Sequence, residues 1–240
     1  MKRTWEQVSI LAGADGWGVR LDGAPLLIPG GEALRIATGR LAEAIAAEWR
    51  DAAGGVPGGE MSLDDLPLTR LAGTAQARIA PDPEPVALEL ARYGESDLLC
   101  YRAIEPEALA LREARAWQPW LDWAEAALGA RLQVTGGIVH VPQPPATLAA
   151  IAGHVAAHDA DGLAALGVLV PALGSVVLAL AVSHGALSAT AAHELSAVDE
   201  LFQAELWGEV DDAAERRAQV ALDVALAGRY LELSRPQERP

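Results

Sequence analysis

His154 and His158 stand one helical turn apart, with Asp159 and Asp161 just behind them. A turn-spaced histidine pair can hold a metal on one helix face. The intervening glutamate of a zinc hydrolase is missing and no cysteine lies near, so two ordinary surface histidines satisfy the same pattern. His140, His184 and His193 are isolated in sequence. Glu95 and Asp97, in YGESDLLCYR, form a paired-carboxylate loop of the kind that can serve acid–base chemistry. The same residues fit a turn ordered by Ser96 or Asp97, its acids left in water. Trp117, Trp120 and Trp123, in WQPWLDW beside Asp122 and Glu125, could form the sugar platform of a carboxylate-dependent hydrolase. A tryptophan-lined packing surface fits equally well, because glycosidase acids converge from distant segments and no local spacing selects them. Cys100 sits in an apolar run without an adjacent histidine, which suits an inert buried thiol. Ser175 lacks the glycine frame of a nucleophile elbow, and Gly13 to Gly18 lacks dinucleotide spacing. No self-contained catalytic centre and no cofactor are expected.

The bulk of the chain narrows its partners. With 240 residues, 51% of them hydrophobic, it can build one large or two small cores. The formal net charge is −15 and Lys2 is the only lysine, so no basic patch exists to neutralise nucleic-acid phosphates or an anionic bilayer. A single cysteine excludes an internal disulfide and suits a reducing compartment. The N-terminal run carries neither signal-peptide nor presequence pattern, so the cytoplasm is the expected location. Gly162 to Val182 has no charge over a span that could cross a bilayer, but Pro171, Gly174 and Ser175 interrupt it. Two buried helices meeting near Pro171 are expected there, without stable membrane insertion.

The elements that must position these groups follow from periodicity. Glu6 to Leu11, Trp17 to Leu21 and Pro25 to Ile28 read as short strands, with a hairpin turn at Asp22-Gly23. Glu32 to Trp49 reads as a helix with Leu41, Ile45 and Trp49 on one face, and a helix from Leu66 ends before Pro81. A helix to about Tyr93, a long one from Glu105 to Leu128 with Pro119 as kink or start, and strands within Arg131 to Val141 follow. Beyond that, Ala146 to His158, Gly162 to Val182, Ser188 to Trp207 and Asp211 to Glu232 all read helical. The expected class is α+β: a small antiparallel β-rich domain over residues 1–75, then a mainly helical domain over residues 76–240, with an internal boundary possible near residues 141–145.

Ala191 to Glu209, AAHELSAVDELFQAELWGE, organises the rest. At roughly 100° per residue, Leu195, Val198, Phe202 and Leu206 share an apolar face, while Ser196, Glu200, Gln203 and Trp207 share another. Asp199 and Glu205 flank the apolar stripe. Periodicity alone fits a solvated acidic helix with Trp207 filling a gap.

The pattern S-x-x-D-E-x-F-Q-x-E-x-W-G-E resembles the C-terminal signature of the assembly chaperones that bind the alpha subunit of the ATP synthase catalytic sector, F(1), a family of mitochondrial and alpha-proteobacterial type. LPLTRLAGT from Leu66, YGESDLLCYR from Tyr93, and Val141-Pro142-Gln143-Pro144 resemble further runs of that family, in the same order. Leu66 and Gly73 depart from its pattern, and Leu201 and Leu206 stand where more polar residues are expected. The resemblance implies a sheet-rich N-terminal and a helical C-terminal domain, no enzymatic activity, and a chaperone that shields free alpha subunit until beta replaces it. It points to Glu200, Gln203 and Trp207 as partner contacts with Ser196 and Phe202. Asp199 and Glu205 would form their electrostatic border, with Arg70, Glu95 and Asp97 as further candidates.

Overall fold

The computed structural model describes residues 2–236. They fall into two compact units, the first comprising the residues up to Pro83, Asp159–Ala165 and those from Arg229 on, the second Glu84–His158 and Leu166–Gly228.

The first unit holds an antiparallel sheet of β1 (Val8–Gly13), β2 (Gly16–Leu21) and β3 (Ala24–Pro25), in that order. Asp22 and Gly23 join β2 to β3 with φ of 48° and 83°, the double positive φ that a two-residue hairpin turn demands. The Asp22 carboxylate also accepts the Glu6 and Gln7 amides, which anchors the chain entering β1. The third strand is shorter than its sequence pattern suggests, and Leu27 continues the pairing only through an isolated bridge to Ala33.

Helix α1 (Gly39–Asp51) begins seven residues later than periodicity indicates. Ile36 exchanges two 2.8 Å backbone hydrogen bonds with Trp17, which keeps the preceding stretch extended, and the Thr38 hydroxyl then caps the helix by accepting from Leu41. Leu41, Ile45 and Trp49 are buried as their spacing requires, and α1 packs on β1 and β2. Helix α2 (Pro67–Thr74) starts with proline in its first turn and runs into a wide π-type turn over Ala75–Ile79.

The second unit carries α3 (Glu84–Ala91), β4 (Tyr101–Arg102), α4 (Glu107–Leu128), β5 (Thr135–Gly136), α5 (Pro145–Ala156), α6 (Ala160–Leu173), α7 (Val176–Ser183), α8 (Ala189–Ser196), α9 (Val198–Trp207) and α10 (Asp211–Ser234). Residues 160–165 of α6 and the end of α10 from Arg229 belong to the first unit. Strand β5 pairs in parallel with β4, and it is the only part of Arg131 to Val141 in a regular strand. Pro119 lies inside α4 rather than at its start.

Val176 to Val182 are all buried, which accounts for the uncharged run as core. The run divides at Gly174 and Ser175, three residues after the proline, because Gly174 takes φ of 61° and the Ser175 hydroxyl caps α7. No helix among the described residues is long and apolar enough to cross a membrane. The stretch from Ala191 to Glu209 is two helices, not one: Ala197, at φ −96° and ψ 10°, ends α8 and opens α9.

Candidate functional site

Helix α9 rests on α4 through residues that the rest of the second unit holds in place. Val198 and Phe202 turn inward, each 8% exposed, and the Arg112 guanidinium lies 5.1 Å from the centre of the Phe202 ring. Arg112 also grips Glu205 with parallel hydrogen bonds of 2.8 and 2.7 Å. At the next position of α4, Glu113 is buried, accepts the Ala103 amide at 2.7 Å and is hydrogen-bonded to Asp199. Burial, reinforced by Asp199, pushes the Glu113 carboxyl up to about 7.

Trp117, fully buried, donates its indole N–H to the Leu195 carbonyl at 2.8 Å and so fixes the end of α8 against α4. Its burial removes it from any shared tryptophan platform. Trp120 and Trp123 remain partly exposed with ring centres 6.3 Å apart, and Trp123 meets His184 edge-on. His158 turns its Nδ1 to the His154 carbonyl at 2.9 Å, while the His154 ring faces His184. No group of three potential metal-ligating side chains occurs among the described residues.

The outward side of α9 is different in kind. Glu200, Gln203 and Trp207 are exposed, Trp207 by 78%, and Ser196 is half-buried at the end of α8. Leu206 and Val210, 56% and 66% exposed, extend the apolar surface beside Trp207. Spacing placed Leu206 with the core face, but the packed stripe ends at Phe202, one turn short of it. Glu209, Asp211 and Asp212, which follow the indole in the chain, are also exposed. Gly208 ends α9 at φ 87° and ψ 156°, a conformation reserved to glycine, which explains the glycine after Trp207.

The remaining candidates separate by burial. Asp97 is fully buried and accepts from the Leu99 and Val177 amides and from the Ser175 hydroxyl at 2.8–3.1 Å. Burial pushes it up to about 6 while these donors pull it back, and it serves the turn before β4 and the start of α7. Glu95 is exposed two residues earlier, so the two acids do not act together. Arg70 is exposed and pairs with Asp64 at 2.9 Å. Its neighbour Thr69 is half-buried: its hydroxyl donates to Glu48 at 2.8 Å and accepts from the Trp49 indole at 3.0 Å. The Glu48 carboxylate also accepts the Leu68 and Thr69 amides, satisfying the free N–H groups that open α2.

Arg112 and Glu113 carry much of this arrangement and no sequence pattern singles them out. Arg112 and Glu205 are 93 positions apart, and only the packing of α4 against α9 joins them.

The profile of the ATP12 chaperone protein family matches residues 2–125. Among solved structures, Atp12 from Paracoccus denitrificans is 41% identical over 98% of both chains with a TM-score of 0.91, as is an aspartate-to-lysine mutant of Atp12p from that organism. A protein from Agrobacterium tumefaciens is 37% identical over 96% of this chain and 85% of its own, with a TM-score of 0.88.

Proposed function

This chain belongs to the ATP12 chaperone protein family, and we propose that the client it holds during ATP synthase assembly is the free F(1) alpha subunit. The observation that carries this reading is the outward side of α9, where an indole 78% exposed stands among Leu206, Val210 and a border of carboxylates. A large exposed aromatic with apolar neighbours is a recognition surface rather than a solvated helix. A subunit destined for a complex exposes apolar area that must be covered reversibly. Binding to Trp207 and Leu206 supplies affinity by burying that area. The acids Glu200, Asp211 and Asp212 supply orientation against basic groups, consistent with a net charge of −15. Glu205 enters this border only through its outer edge, because Arg112 already engages both its oxygens.

The beta subunit displaces the chaperone by covering the same surface more extensively, in the cytoplasm where both subunits are free. Recovery of alpha subunit on immobilised protein tests the reading, with Glu200→Lys as the charge-reversed control. Strong recovery by the wild type and loss in the folded variant is expected; equal recovery by both removes α9 from the contact.

A further inference from the structure

A groove of about 510 Å3 opens in the second unit beside α9. Leu98, Leu173 and Val220 give it an apolar lining, and Glu200, Arg216 and Arg217 give it charge. Two adjacent arginines are unusual in a chain with 18 basic and 33 acidic residues. Arg217 is also the most sheltered cation in the ion pairs of the described residues: its side chain is 13% exposed, against 40–82% for the others. It pairs with Glu209 and, at 3.6 Å, with Glu200, whose side chain is 59% exposed. That second distance is too long for a hydrogen bond, so Glu200 holds Arg217 weakly. Arg216 is exposed and joins no ion pair among the described residues.

A sheltered guanidinium beside an apolar wall attracts a carboxylate more strongly than one in open water, and its planar fork matches both carboxylate oxygens. We infer that the groove takes a client segment in which a glutamate or aspartate lies among aliphatic residues. The incoming carboxylate replaces Glu200 on Arg217, and the aliphatic side chains cover Leu98, Leu173 and Val220. This rests on the chaperone reading and deepens it: the outward side of α9 meets apolar and basic surface, while the groove reads an acidic, aliphatic strip. Glu200 then stands between the two as a displaceable cover.

Labelled leucine–alanine peptides carrying glutamate, glutamine or lysine, titrated into the full chain by fluorescence anisotropy, test the inference. The glutamate peptide is expected to bind about tenfold tighter than the glutamine peptide. That preference disappears in Arg217→Ala, weakens in Arg216→Ala and grows in Glu200→Gln, which removes the weaker of the two carboxylate partners of Arg217. Arg217→Lys keeps a charge without the fork and retains only part of the preference, so it answers the question if Arg217→Ala fails to fold. Equal binding of the three peptides overturns the inference, as does a glutamate preference that survives Arg217→Ala. Competition by inorganic phosphate as effective as the glutamate peptide also overturns it, since it marks a small-anion site. Glutamate-selective binding by a wild-type protein that captures no alpha subunit upholds the groove and removes only the identity of the client.

Discussion

Arg112 on α4 and Glu205 on α9 meet through two parallel hydrogen bonds of 2.8 and 2.7 Å, with the Arg112 guanidinium lying against Phe202. The pair is open to water, so its effect on global stability is small. Its effect on α9 is local. Arg112→Ala is expected to leave the melting temperature nearly unchanged while amide exchange on residues 198–207 accelerates severalfold, read by hydrogen-exchange mass spectrometry. Unchanged exchange would show that packing at Val198 and Phe202 holds α9 without it.

Thr69 joins Glu48 to Trp49. Replacing Thr69 with alanine removes both hydroxyl bonds and leaves the buried indole N–H without its acceptor, so a loss of about 1–3 kcal/mol is expected in urea unfolding. Thr69→Ser keeps the hydroxyl and recovers most of the loss. Equal stability of the alanine and wild-type chains would contradict this role.

Much of this was legible in the residues themselves, and the exceptions share a cause. Leu41, Ile45 and Trp49 announce the buried face of α1 by their spacing, and Asp22-Gly23 announces its turn, because both signals are local. The start of α1 was not legible: the stretch before it is held straight by Trp17, a tertiary bond. The Ala197 break and the exposure of Leu206 likewise carry no local signal in the helical spacing. Asp97 reads as a candidate acid in its loop, yet its partners Ser175 and Val177 lie 78 and 80 positions away. The outward line of Glu200, Gln203 and Trp207 was legible from helical spacing, while the arginines facing it from α10 were not.

Glu113 gives the second unit a pH dependence. Its carboxyl is raised from the ordinary glutamate range to about 7 by burial and by Asp199. The folded chain therefore binds a proton that the unfolded chain has already lost between pH about 4.5 and 7. The stability that this proton contributes is complete below that window and is lost as pH rises through about 7. Chemical unfolding from pH 5 to pH 9 is expected to show declining stability in the wild type and a flatter profile in Glu113→Gln. Identical profiles would contradict a raised Glu113 carboxyl.

Gly208 ends α9 at φ 87° and ψ 156°. Gly208→Ala is expected to cost about 1–3 kcal/mol in thermal or urea unfolding, because a Cβ is disfavoured at that backbone geometry. No neighbouring atom lies within 4 Å of such a Cβ, so the cost is conformational rather than steric crowding. A neutral substitution would show that the turn after Trp207 relaxes freely.

Trp207 carries the central claim, since it is 78% exposed and contributes little to the fold. The direct measurement is co-expression of F(1) alpha subunit with the wild-type chain or with Trp207→Ala, scoring soluble and co-purified alpha. The wild type is predicted to keep alpha soluble and bound, and the equally folded variant to lose at least about tenfold of the bound fraction. Equal capture of alpha by both chains would contradict the account.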